Sequence, residues 1–191
     1  MTDNAICVIA YFKPSINIKS RSCNGKGERW PQSTNRTGPK SGNRQAGAPS
    51  SRGAEGIANE ALGVRRIRVT GARSGGVFGV WKESVGPGEG PPPHVHTRED
   101  GVFHVLEGAF TFWCDGTGTE AGPGAVVALP RGVPHRFWNS GDAPGRLLVP
   151  GGFERVFLDV EARGLDDTAA VGVLFAEYGL AFVAPPATET A

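Results

Sequence analysis

The run Gly88-Glu89-Gly90-Pro91-Pro92-Pro93-His94-Val95-His96 and the later run Gly124-Ala125-Val126-Val127-Ala128-Leu129-Pro130-Arg131-Gly132-Val133-Pro134-His135-Arg136-Phe137-Trp138-Asn139 together hold three of the four histidines. His94 and His96 stand two apart, so on an extended strand both imidazoles leave the same face. His135 adjoins a later strand-like segment, residues 136–139. The three prolines before His94 fix φ and remove donors, which stiffens the approach to the pair. Neutral imidazole is the commonest protein ligand for metals, and three that converge suit Fe, Mn, Co, Ni, Cu or Zn. A lone histidine is ordinarily an unremarkable surface residue. The paired spacing inside an alternating β pattern points instead to a metal site on a small barrel.

Around these histidines the spacing resembles the two motifs of the cupin family. Gly88, His94, His96 and Gly108 fall in the first motif, with Gly101 where the family has glutamate, and Gly124, Pro130, Gly132, His135 and Asn139 fill every position of the second. The resemblance spans residues 63–157, about half of the chain. Pro92-Pro93-His94-Val95-His96-Thr97-Arg98-Glu99-Asp100 and Val105-Leu106-Glu107-Gly108 look like the small single-domain cupins often labelled quercetin 2,3-dioxygenase-like. The resemblance implies an all-β fold, the double-stranded β-helix or jelly-roll cupin barrel, with short C-terminal helices. It implies one divalent transition metal (Fe, Mn, Co, Ni or Cu) on His94, His96 and His135, a small-molecule substrate or ligand, and a homodimer.

Gly101 departs from that pattern. In the family the glutamate there is a fourth ligand, and in flavonol dioxygenases it is credited with acid–base work; glycine supplies neither oxygen nor proton. Glu99 shares strand parity with position 101, so it is the candidate substitute carboxylate. Asp100 has the opposite parity but fits the shorter spacing the motif allows. His104 has a parity that points away from the metal. A plain three-histidine site completed by water is the remaining arrangement. Phe103, Val105 and Phe137 share the ligand face and are expected to line an apolar pocket, with Phe103 and Phe137 as substrate-pocket candidates. Asn139 is expected to serve a backbone hydrogen bond near the strand's end.

Working outward, residues 64–70 alternate basic and apolar side chains as a half-exposed strand does, and residues 76–85 form the next. Residues 102–106 and 109–114 read as a hairpin on Glu107-Gly108, residues 115–118 as a turn, and residues 125–129 and 146–149 as short strands. Many short strands with Gly/Pro turns account for 29 glycines and 15 prolines in 191 residues. Past Gly151 the period changes: Phe153, Val156, Phe157 and Val160 recur at helical spacing. Asp166-Asp167-Thr168 is placed to cap a second helix that stops at Gly179. This tail is expected to cap the barrel's open end, with a lid or dimer contact as the alternative.

The chain therefore divides into a basic extension (residues 1–55), a barrel (56–150) and a helical tail (151–191). Between residues 13 and 52 there are nine Lys/Arg against one acid, Glu28, whereas from residue 53 onward eleven Lys/Arg face seventeen acids. The basic, Ser/Asn/Gly/Pro-rich segment is too polar to offset its ordering entropy, so disorder is expected there, with a basic arm for an anionic partner as the alternative. No helix-turn-helix pattern appears, and nucleic acid is not an expected partner. The apolar run at residues 5–12 is too short to span a bilayer and lacks the flanks of a secretory signal. Cys7, Cys23 and Cys114 form no C-x-x-C pair, so neither a disulfide framework nor a zinc knuckle is expected, and cytoplasmic residence is the default. The resulting functional expectation is a metal-dependent, dioxygenase-like oxidoreductase acting on a small aromatic or enolic molecule. Its alternatives are a non-catalytic small-molecule-binding cupin and a metal-dependent isomerase or lyase.

Overall fold

A computed structural model describes residues 8–11, 56–60 and 62–184. The basic segment before residue 56, Cys7, Cys23 and the 185–191 end lie outside them, apart from one short strand. The described elements run β1 (Val8–Tyr11), β2 (Ile57–Asn59), β3 (Val64–Val69), β4 (Gly79–Val85), β5 (His94–His96), β6 (Gly101–Glu107), β7 (Phe110–Cys114), β8 (Thr117–Ala121), β9 (Ala125–Leu129), β10 (His135–Asn139), β11 (Gly145–Gly151), α1 (Glu154–Arg163), α2 (Thr168–Glu177) and β12 (Leu180–Phe182). Two antiparallel sheets result, one ordered β1-β9-β6-β11-β4-β3-β2 and the other β12-β5-β10-β7-β8.

Strict alternation builds the interior. Phe110, Phe112 and Cys114 of β7, Ala125, Val127 and Leu129 of β9, and Leu147 and Val149 of β11 are all buried. Each large apolar side chain so placed contributes roughly 1.5–3 kcal/mol of transfer free energy, offset in sum by chain entropy. Phe103, Phe110, Phe112 and Phe137 pack as one aromatic cluster, with Phe103 and Phe137 centroids 5.1 Å apart.

Three local readings need correction. Residues 102–106 and 109–114 are consecutive strands but not a hairpin: β6 pairs with β9 and β11, whereas β7 pairs with β10 and β8. Gly108, at φ +86°, carries the chain from one sheet to the other, and a Cβ there would lie 2.7 Å from Gly145 Cα. The turn expected over residues 115–118 is only Asp115-Gly116, both with positive φ (47° and 81°), the tight hairpin type that matches strand twist. Thr117 and Gly118 already belong to β8. The third concerns β3, where Arg65 and Ile67 turn inward while Val64 faces solvent.

The tail forms the two helices read from the sequence. Val156, Phe157 and Val160 bury the inner face of α1, which ends at Gly164 in the left-handed conformation. Asn59 Nδ2 donates to Phe157 O (3.0 Å) and Glu161 Oε2 (2.6 Å), fastening β2 to α1. Asp167 caps α2 by accepting from Ala170 N–H at 2.9 Å, worth about 1 kcal/mol. Gly179 at φ +83° then returns the chain into β12, a strand the sequence reading did not assign. Among the described residues no helix is long and apolar enough to cross a membrane.

Candidate metal centre and its cavity

Two strands deliver the histidines. His135, first residue of β10, is the antiparallel partner of His94 on β5, so their side chains leave the same face. His96, two residues on, shares that face, and Gly132 N–H donates to the His96 carbonyl at 2.7 Å, tying the loop before β10 to β5. One potential ligand atom from each of His94, His96 and His135 lies within 4.8 Å of the other two. The ring centroids of His94 and His135 are 4.7 Å apart, and the His96 and His135 rings are stacked at 5.5 Å.

Second contacts orient the rings. His94 Nδ1 meets Pro92 O at 2.8 Å and His135 Nδ1 meets Val133 O at 2.9 Å. A carbonyl only accepts, so each Nδ1 carries the proton and each Nε2 presents a lone pair. The His96 ring packs edge-on to Phe153 at 4.7 Å. Burial holds all three imidazoles below the ordinary histidine range. His96 is lowered to about 3 by burial and then by His94 and His135, and His135 to about 4 by burial and then by His94. Neutral, oriented, mutually close nitrogens are the donor set a divalent transition metal requires.

No carboxylate joins this cluster among the described residues. Glu99 lies in the wall of the same cavity, where its Oε2 accepts from Gly152 N–H at 2.8 Å. Burial raises the Glu99 carboxyl above the ordinary range, the Gly152 hydrogen bond opposes this, and Glu154 adds to it. Asp100 instead forms a surface ion pair with Arg131 at 3.0 Å, whose hydrogen bonds lower its carboxyl to about 2. His104 lies on β6 between the inward Phe103 and Val105, as its parity requires. At Gly101 an added Cβ would stand 3.0 Å from the Phe103 ring and 3.5 Å from Leu129 Cβ. Phe103 thus fills the space that a side chain at 101 would enter.

A cavity of about 490 Å³ opens beside His94 and His96. Its walls include Trp81, Phe103, Phe137, Phe153, Phe157 and Phe182, so both tail helices' flanks and β12 help to close it. Phe103 and Phe137 both line it, whereas Val105, expected beside them, is fully buried in the core and does not. Asn139 performs the backbone task expected of it: Nδ2 donates to Val85 O and Ala143 O, both at 2.8 Å, and Oδ1 accepts from Gly141 N–H at 2.9 Å.

Sequence reasoning missed a buried pair in the opposite wall. Arg65 Nη2 donates to Glu83 Oε1 at 2.5 Å, both residues being 9% exposed. Glu83 shares parity with the apolar Trp81 and Val85, and an acid at an inward position is the signal that could have revealed a buried cation across the β3–β4 ladder. Glu154 was also missed. It is fully buried at the start of α1, accepts from Gly71 N–H at 2.6 Å, and leaves its Oε2 without a partner.

Residues 81–151 match the family model described as Cupin domain. Protein SchB of Streptomyces halstedii is 32% identical over 108 residues, which cover 55% of this chain and 77% of that protein. Among solved structures, the polyketide cyclase RemF from Streptomyces resistomycificus is 26% identical, with a TM-score of 0.45 over 51% of this chain and 73% of its own. A predicted oxalate decarboxylase from Thermotoga maritima is 19% identical, with a TM-score of 0.44 over 46% of this chain and 78% of its own.

Proposed function

The chain belongs to the cupin superfamily, and from that premise we propose that it is a metal-dependent, dioxygenase-like oxidoreductase whose substrate is a small aromatic or enolic molecule. The observation that carries the reading is the clustering of three neutral imidazoles, two of which, His94 and His96, line an aromatic-walled cavity. His94, His96 and His135 would hold one divalent transition metal, of the group Fe, Mn, Co, Ni and Cu. When bound, such a metal supplies Lewis acidity toward a deprotonated substrate oxygen and an electron path to dioxygen.

The chain's own side chains do the rest. Phe103 and Phe137 offer ring faces to a planar substrate and keep water from the reacting edge. Glu99 takes the proton of the substrate's hydroxyl at Oε1, while Gly152 N–H holds Oε2. Its raised carboxyl brings proton affinity closer to neutrality, as a general base requires. A second reading, a non-catalytic small-molecule-binding cupin, is favoured by the absence of a carboxylate from the described cluster.

Elemental analysis of untagged protein, followed by oxygen uptake with 3-hydroxyflavone, tests both. Bound metal with oxygen uptake that falls roughly 10²–10⁴-fold in Glu99→Gln supports the oxidoreductase. Bound metal and bound 3-hydroxyflavone without oxygen uptake supports the binding module. Protein that neither contains nor takes up metal sinks the oxidoreductase.

A further inference from the structure

Among the described residues, every Phe and Trp side chain that lines the cavity is buried except one: Phe103 is 9% exposed and Phe137 5%, whereas Phe182 of β12 is 45% exposed. Phe182 is the register partner of His94, as Leu180 is of His96. Directly opposed residues of an antiparallel pair share a face, so Phe182 stands on the side of the sheet that carries the imidazoles. Leu180, on that same side, is 4% exposed. A lone exposed phenylalanine at an outward position needs no account; one at an inward position does. Fraying does not supply it, because beyond residue 182 Val183 N–H still donates to Pro93 O at 2.9 Å.

The neighbours of the ring leave it part-covered. Phe175 of α2 packs against it with centroids 5.7 Å apart and planes 30° apart, and the His94 ring meets it edge-to-face at 6.5 Å. The other aromatic walls are occupied with one another, Phe103 with Phe137 at 5.1 Å and Phe153 with Phe157 at 5.6 Å. The apolar surface still open to a ligand is therefore concentrated on Phe182. We propose that Phe182 is a specificity-determining residue of the cavity, its uncovered ring stacking on the flat face of an aromatic ligand directed toward His94 and His96. This rests on the reading of the cavity as the substrate site. A volume of about 490 Å³ accommodates a two-ring molecule.

The test uses two alcohols that differ only in the flatness of their rings: 2-naphthalenemethanol and its fully hydrogenated counterpart. Dissociation constants are measured on the full chain, on Phe182→Leu and on Phe182→Trp. The wild type is expected to prefer the aromatic probe by about two- to tenfold, the range of an aromatic pair. Phe182→Leu keeps the apolar bulk and is expected to lose most of that preference, whereas Phe182→Trp keeps it. Metal content per folded molecule should be the same in all three, which separates stacking from a general loss of structure. Equal affinities in the wild type, no binding of either probe, or a preference that survives in Phe182→Leu overturns the proposal. A changed oligomeric state in Phe182→Leu with the preference unmoved makes the ring a contact between copies and also overturns it. If Phe182→Leu does not fold, Phe182→Met is measured instead, with the same expected loss. The oxidoreductase reading fails on metal content and oxygen uptake and the stacking role on probe preference, so the two failures are read apart.

Discussion

His135 pairs with His94 across the β5–β10 ladder, and this is the one residue pair in register between those strands. Two histidines of the candidate centre are thus placed by a single cross-strand step, while the third, His96, rides on the same three-residue strand as His94. Removing any one nitrogen leaves two, too few to retain a divalent ion firmly. In His96→Ala or His135→Ala, bound metal is expected to drop from about one equivalent to a small fraction of one, with the fold intact by circular dichroism. Full retention of metal in both variants would refute the assigned centre.

Acid should loosen the metal-free protein. The three histidines have folded-state pKa values below the unfolded value of 6.5, with His96 at about 3 and His135 at about 4. As pH falls below 6.5 the unfolded chain takes up protons that the folded centre refuses, so stability declines from there down to about pH 3 and changes little on this account above 6.5. Thermal melting in the presence of a chelator between pH 7 and pH 4 should show a falling midpoint. The slope should shrink in His96→Ala.

Restoring the family's glutamate should fail by itself. In Gly101→Glu the new Cβ meets the Phe103 ring at 3.0 Å, and such overpacking costs about 1–3 kcal/mol. Combining Gly101→Glu with Phe103→Ala frees that space. The double variant is expected to bind metal more tightly than either single one, as read by competition with a chelating dye. Tight binding by Gly101→Glu alone would show that Phe103 moves aside.

Asn139→Ala should destabilise the barrel without touching the ligands. Its amide satisfies two carbonyls and one N–H, and the residue is fully buried. Leaving such groups unpaired costs about 1–3 kcal/mol each, so a loss of about 3 kcal/mol in urea unfolding is expected. Metal content per folded molecule should be unchanged.

Gly90→Ala is expected to be more severe than an exposed loop substitution. A Cβ at 90 would fall 1.9 Å from the Phe137 carbonyl oxygen, which belongs to the strand carrying His135. Backbone must shift to admit it, so both stability and metal uptake should decline. A variant that melts within a degree of wild type would contradict this close approach.

The histidine triad, the aromatic lining and the Asn139 hydrogen bonds were all legible because each follows from period-two alternation around one spaced motif. The two helices were legible from their changed period and from Asp167. Strand partners were not. Glu107 and Gly108 look like a hairpin tip because alternation reports which face a side chain takes and is silent about which distant strand accepts its hydrogen bonds. The same limit hid Arg65. Without the register that sets it against Glu83, an arginine in a basic, alternating run reads as solvated, and only the ladder reveals the buried ion pair. β12 escaped notice because three residues after a glycine carry too little pattern to distinguish a strand from a fraying end.

β12 flanks the histidine strand on the side away from β10, with Leu180 opposite His96 and Phe182 opposite His94. It contributes three register pairs to β5, where β10 contributes one. On a ribosome, therefore, His94 and His96 emerge some eighty residues before the strand that steadies most of their backbone (from His96 to Leu180). A nascent chain stalled after α2 would carry all three imidazoles and still present β5 with a bare edge, open to pairing with a neighbour's strand. The order of synthesis thus leaves the strand that carries His94 and His96 flanked on one side only until the chain has been made through Phe182.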